Sequence, residues 1–254
     1  MPCSVRRGAA PEAPRPAHPP AASVIVFLGP SLPLAEARRL LAADYRPPLC
    51  RGDLDAIAGP AVVAVVDGVL EPEMRLQPEE ARRAAGRGLR LFGAASVGAL
   101  LAADPSMSGS IKGVGRVVRL LRRGRARAED LALLYAAHDL RPLTIPVVDV
   151  LCRLDEAVAS GRVPSGAAEA ALAALRALPL EERVPATMER LLHRHLGSFS
   201  SAVSDPFLPG VKAADARRLL RLVRKLFEGA EEGISARRGT DNSVEGTTRP
   251  GRIR

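Results

Sequence analysis

"SVIVFLGPSLPLAEARRLLAA", residues 23–43, joins two periodicities across a Gly-Pro corner. Residues 23–29 are a nearly continuous apolar run, the pattern of a parallel strand buried on both faces. From Pro33 onward, Leu34, Ala37, Leu40 and Leu41 recur at helical spacing. The same pair of signals returns twice downstream. "AVVAVVDG" (61–68) reads as a second buried strand ended by Asp-Gly, with a helix over 78–87 after it. "LRLFG" (89–93) reads as a third, leading into a small-residue helix that begins near Ser96. Strand alternating with helix predicts an α/β fold, a Rossmann-like parallel sheet whose ligand edge lies outside the carboxyl ends of its strands.

Past residue 112 the pattern turns helical, over 115–124, 128–138, 146–161, 165–178, 180–196 and 213–229. The organisation expected is an α/β domain over 23–146 and a helical region over 147–229, packed on the sheet or on a partner. Residues 1–22 are rich in Pro and Ala without periodicity, and 230–254 are similar in character, so both read as disordered tails.

At 254 residues the chain can bury a sizeable core, and with 47% hydrophobic but only 3% aromatic residues that core is aliphatic. The net charge of +9 is carried almost wholly by Arg, since the lysines are Lys112, Lys212 and Lys225. A basic surface favours phosphates or acidic proteins. Nucleic acid is not expected, because sequence-tolerant single-strand binding adds stacking aromatics to a basic groove. Cys3, Cys50 and Cys152 are too scattered for a disulfide scaffold or a zinc site. No apolar run approaches the ~18–20 residues of a membrane span, and no signal peptide follows Arg6-Arg7, so a cytoplasmic location is expected.

Polar residues follow each strand: "GPS" (29–31), Asp67-Gly68, and the Ser96 corner after Gly93. The expectation is that Ser31, Asp67 and Ser96 meet at one pocket lip. Ser31 sits where an N-cap belongs. The loop lacks the residues of a P-loop or a G-x-G-x-x-G turn, so no ATP, NAD or other cofactor is expected. "AASVG" (94–98) fits a relaxed nucleophile elbow, a strand–turn–helix corner that exposes a serine. The competing reading makes Ser96 a small polar residue at a tight turn. Candidate bases for Ser96 are His138, Asp67 or Glu79, by elimination. In "PPLCRGDL" (47–54) Arg51 can clamp an anion with Asp53, or the two can pair and brace their loop. Arg116, Arg119 and Arg123, with Lys112 one turn earlier, form a basic stripe that is a solvated face or a docking face for an acidic protein.

Taken together, "FLGPSLP", "PPLCRGDL", "VVDGVLE", "LFGAASVGALLAAD", "GVGRV" and "LTIPVVDV" resemble the TfuA-like family over about residues 24–152, with a fainter continuation at "VKAADARRLL" (211–220). Gly29, Pro30, Ser31, Arg51, Gly52, Asp53, Asp67, Gly68, Glu79, Gly93, Ser96 and Gly98 match its pattern. The chain departs from it at "QPE" (77–79), where a His-Lys-Glu segment is common, and at Leu101, where Arg is common. The resemblance implies a partner of YcaO enzymes, which use ATP to activate a backbone amide for replacement of its oxygen by sulfur. The implied role is to supply that sulfur, by releasing sulfide from a thiocarboxylated carrier protein, or to bind and stimulate YcaO on its precursor peptide. Ser96 would then act as nucleophile or oxyanion anchor, Asp67 and Glu79 as acid/base groups, and Gly29, Ser31, Arg51, Asp53, Gly68 and Gly93 as the substrate cradle. A non-enzymatic adaptor is the alternative, and a stand-alone serine hydrolase is weaker, for want of a His-Asp pair.

Overall fold

The computed structural model describes residues 23–71, 73–203 and 210–240. The chain opens with β1 (Ser23–Phe27), α1 (Leu34–Leu40), β2 (Asp44–Arg46) and β3 (Ala61–Val65). It continues through α2 (Pro78–Gly86), β4 (Arg90–Gly93), α3 (Val97–Ala103), β5 (Ile111–Gly113) and α4 (Arg116–Arg122). Four more helices follow: α5 (Val147–Ala159), α6 (Ser165–Ala177), α7 (Pro185–Leu196) and α8 (Val211–Thr240). Among the described residues the strands make one five-stranded, all-parallel sheet in the order β2-β1-β3-β4-β5. An α/β sheet with a helical C-terminal region is therefore what forms. No helix among the described residues is long and apolar enough to cross a membrane.

Side chains alternate across the sheet, so each strand feeds two cores. Val24, Val26, Val62, Ala64 and Phe92 face one side, where α1 supplies Ala37 and α8 supplies Ala216, Leu219, Leu220 and Val223. Ile25, Phe27, Val63, Val65 and Leu91 face the other, in a larger core that α2 to α7 complete. Burial on both faces is why β1 and β3 carry unbroken apolar runs. Ion pairs fasten α8 to α1 and α6 to the segment after α4. The carboxylate of Glu36 on α1 takes Arg217 of α8 at 2.5 Å, and buried Asp130 takes Arg176 of α6 at 2.7 Å.

Helix ends are closed by residues far away in sequence. The Asp215 carboxylate on α8 accepts the Arg116 and Val117 N–H groups at 2.8 and 2.7 Å, capping α4. Gly115 precedes that cap at φ +105°, and a Cβ there would lie 2.2 Å from Asp215 Cγ. Asp149 on α5 does the same for α8, its Oδ1 accepting the Lys212 N–H at 3.2 Å.

Three details depart from the sequence reading. The edge strands β2 and β5, three residues each, lie where no strand is expected. The helix expected over 128–138 is only a short 3-10 turn, Ala128–Asp130. Its backbone is diverted: the Leu134 N–H bonds the Thr144 hydroxyl at 2.8 Å and Ala136 N–H bonds Arg141 carbonyl at 2.9 Å, a loop closed on itself. Finally, α8 runs on to Thr240, past residue 229; residues 1–22 and 241–254 lie outside the described residues.

The tightest approach in the fold is at Gly98, where a Cβ would come within 1.8 Å of the Val65 carbonyl oxygen. Gly93 is as confined, facing the Gly98 carbonyl at 2.0 Å. α3 therefore rests directly on strand backbone. Gly98→Ala should destabilise the protein by about 3 kcal/mol or prevent folding, read from urea unfolding followed by circular dichroism, while Gly86→Ala, which meets nothing within 4 Å, should be neutral or stabilising.

Candidate functional site

The strand order fixes where a site can form. From β1 the chain moves outward to β2, then crosses back so that β3, β4 and β5 build away on the other side. Next to β1 and β3 the winding reverses, leaving a crevice at their carboxyl ends where doubly wound sheets bind ligands. The residues leaving those two strands are Leu28-Gly29-Pro30-Ser31 and Val66-Asp67-Gly68.

Asp67 ties the crevice together. Its Oδ2 accepts the N–H groups of Gly29 at 2.8 Å and Ser31 at 3.1 Å, and its Oδ1 accepts the Ser31 hydroxyl at 2.6 Å. Both residues are buried, Asp67 3% and Ser31 6% exposed. The Gly-Pro-Ser turn so held leads the chain away from the sheet. Leu49 then crosses to bridge Gly68, its N–H on the Asp67 carbonyl at 3.0 Å. Gly29 has no room for a side chain, since a Cβ would meet Pro48 Cγ at 2.8 Å and Asp67 Cβ at 3.2 Å. Gly68 is likewise pressed between Val97 and the Leu49 carbonyl.

Ser31 borders a cavity of about 370 Å³ shared with Pro30, Pro146, Asp149, Arg153 and Lys212. The partners beyond the sheet are residues that the sequence did not single out. Lys212 is only 3% exposed; its Nζ donates to the Leu131 carbonyl at 2.9 Å. Burial pushes its pKa down, while the charges of Asp67 and Asp149 pull it up. Burial pushes the Asp149 carboxyl up, opposed by the Lys212 charge and backbone N–H. The only signals for this pair were a rare lysine in an arginine-rich chain and the "LTIPVVDV" and "VKAADARRLL" segments around them.

Ser96 lies at the corner after β4, and its own N–H donates to the carbonyls of Ala94 at 2.8 Å and Val66 at 3.3 Å. It is 8% exposed, its hydroxyl has no hydrogen-bond partner among the described residues, and it does not border the Ser31 cavity. The left-handed residue of the turn is Ala95, at φ +66°, whereas Ser96 has φ −117°. A nucleophile elbow strains the turn to expose its serine; here the left-handed position holds Ala95, and Ser96, one residue later, is buried. Ser31 and Asp67 thus meet as expected, with Ser96 beside them at the next strand end but outside the cavity.

The Arg-Gly-Asp loop is braced internally. Asp53 Oδ2 accepts the Cys50 N–H at 2.8 Å, and the 2%-exposed Glu80 accepts Gly52 N–H at 2.9 Å and Leu54 N–H at 3.0 Å. Glu79, one residue earlier, is exposed and pairs with Arg82 at 2.8 Å. Exposed Arg51 borders a second cavity, of about 460 Å³, with Gln77, Glu79, Glu80 and Arg83, none of which borders the first. His138 is exposed beside Asp139. Of the basic stripe, Arg116 is paired with Glu156 and Arg122 reaches the Ala102 carbonyl at 2.8 Å, while Lys112, Arg119 and Arg123 are exposed. No cluster of three or more metal-binding side chains occurs among the described residues.

Three measurements follow from this geometry. Asp67→Ala leaves two buried N–H groups without acceptors and should cost about 2–4 kcal/mol in urea unfolding, against about 1 kcal/mol for Ser31→Ala. The Cys152 thiol, buried and pushed up to about 12, should resist iodoacetamide at pH 8, while half-buried Cys50 is alkylated, as read by peptide mass mapping. Lys212 is depressed in the folded state, so its burial cost is full below its folded pKa and is relieved as pH rises toward the ordinary lysine value of 10.5. The stability of Lys212→Met relative to wild type should therefore be greatest near neutrality and shrink in alkali, measured by thermal unfolding across pH.

Comparison with known proteins adds family context to this geometry. Among curated proteins none matches the chain. The model of the family described as "TfuA-like protein" matches residues 67–184, a stretch that starts at Asp67 and takes in the Ser96 corner and Asp149 but neither Ser31 nor Lys212. Over residues 67–184, the chain is therefore similar to the TfuA-like family.

Proposed function

We propose that the protein is an accessory factor in YcaO-dependent thioamidation of ribosomally made peptides, and that it supplies sulfur by releasing sulfide from a thiocarboxylated carrier protein. The TfuA-like family is associated with YcaO-dependent thioamide formation. The observation that carries the reading further is the 2.6 Å bond from the Ser31 hydroxyl to Asp67, on the wall of a cavity at the reversal point of the sheet.

The overall conversion is a thiocarboxylate plus water giving a carboxylate plus hydrogen sulfide, which ionises to hydrosulfide. An oxygen nucleophile attacks the thioacid carbon, the carbon–sulfur bond breaks, and sulfur departs with the electron pair. If Ser31 Oγ is that nucleophile, water then cleaves the Oγ–carbon ester and returns a proton to the hydroxyl. Asp67 contributes by fixing the rotamer of Ser31 and the turn that bears it. The ATP-dependent activation of the peptide amide belongs to the YcaO partner, which also meets the precursor peptide.

A non-enzymatic adaptor that docks YcaO or the leader peptide is the second reading, and the exposed Lys112, Arg119 and Arg123 favour it. Sulfide release from a purified thiocarboxylated carrier separates the two. Sulfur supply predicts release by the wild type and a loss of about 100-fold or more in Ser31→Ala, with Ser96→Ala retaining most activity because Ser96 lies outside the cavity. Absence of release by the wild type, with YcaO binding intact, would establish the adaptor instead.

A further inference from the structure

α8 packs over β3 in the middle of the sheet, and both α1 and α4 pack against it. Its buried stripe of Ala216, Leu219, Leu220 and Val223 faces the sheet, so helical spacing turns Arg218 and Arg221 to solvent. Arg38 and Arg39 of α1 and Arg119 of α4 are exposed as well. The groups between them show that these side chains are neighbours. The Arg217 hydrogen bond holds the Glu36 carboxyl below its usual value, and Arg39 and Arg221 are near enough to add to that effect. Burial pushes the Asp215 carboxyl up, opposed by the α4 N–H groups and by the charges of Arg119 and Arg218. Five arginines thus form one cationic face across three helices.

No carboxylate of these helices is left to answer them. α4 has none, α1 has only Glu36, and α8 up to Phe227 has only Asp215. Glu36 is taken by Arg217 at 2.5 and 3.1 Å, and Asp215 is 5% exposed and spent on the start of α4. None of the five guanidinium groups makes an ion pair or hydrogen bond among the described residues. Arg217 and Arg221 are moreover like charges one turn apart, an arrangement that weakens a helix standing alone.

The surrounding side chains decide which polyanion suits this face. Leu34 is the single large apolar side chain exposed on the described parts of the three helices, so little is offered to a lipid surface. Their one aromatic ring, Phe227, packs against the sheet-side core, so bases have no platform to stack on. What the five share is the planar guanidinium fork, which takes a carboxylate through two parallel bonds. One exposed ion pair is worth little. Five on a rigid face act together, and they match a partner that presents several carboxylates at once.

We propose that the α1–α4–α8 face is a docking surface for an acidic polypeptide segment, a run of Glu and Asp residues on a partner protein, with Arg218 and Arg221 at its centre. None of the five arginines borders the Ser31 cavity, and the surface rests on neither reading of the function.

The test is fluorescence anisotropy with the full chain, at about 0.15 M salt, using a fluorescein-labelled peptide of alternating Glu and Ala and its Gln counterpart. The Glu peptide should bind at least tenfold more tightly. Arg218→Gln with Arg221→Gln, and separately Arg38→Gln with Arg39→Gln, should each weaken its binding at least threefold. Arg190→Gln with Arg194→Gln on α7, which removes the same charge from another exposed surface, should leave it unchanged. All the substituted side chains are exposed, and circular dichroism checks that each variant folds. Equal binding of the two peptides, an equal loss in the α7 variant, or an affinity unchanged in either face variant overturns the surface. Tighter binding of DNA or of phosphatidylserine vesicles than of the Glu peptide overturns it too. Sulfide release without peptide binding removes this surface alone; peptide binding without release leaves it standing and removes the sulfur-supply reading.

Discussion

The Asp67 carboxylate is the constraint on which the crevice depends. It receives three donors from the turn after β1, so the ends of two neighbouring strands become one rigid unit. Two consequences follow from that geometry. The Gly-Pro-Ser segment is steered out of the sheet plane, which leaves the end of β3 open for Leu49 to bridge at Gly68. Ser31 is also held with its hydroxyl at a fixed point on the cavity wall. A carboxylate in water would exchange these donors freely; buried among them, it is strongly bound because no solvent competes.

Much of the α/β frame was readable because burial on both faces writes itself as unbroken aliphatic runs. β1, β3 and β4 carry that signature, and the helices after them carry helical spacing. β2 and β5 were not readable for the converse reason. Asp44–Arg46 and Ile111–Gly113 are three-residue edge strands, partly exposed, and only their register against β1 and β4 makes them strands. The stretch 128–138 has helical spacing of apolar residues, but tertiary bonds from Thr144 and Arg141 capture its backbone first.

The site was legible in the same uneven way. Strand-end logic brought Ser31 and Asp67 together correctly, since position after a strand determines position at the edge. It could not tell which of two buried serines borders a cavity: Ser31 lines one, and Ser96 does not. Glu79 and Glu80 are adjacent in sequence, yet a helix puts them on different sides, and the one facing inward braces the Arg-Gly-Asp loop. Lys212 and Asp149 left only faint signals because they are 63 residues apart and meet through packing of α5 against α8.

The caps that α8 receives and gives bear on how the protein comes into being. α8 receives its own start from Asp149 and in turn supplies Asp215 to α4, so its seat is assembled from segments made long before it. Until Leu219, Leu220 and Val223 leave the ribosome, Val24, Val26 and Val62 on the sheet have no roof on the α8 side. The nascent chain therefore carries a sticky, half-finished sheet until α8 is made, and closure of the fold waits for that helix.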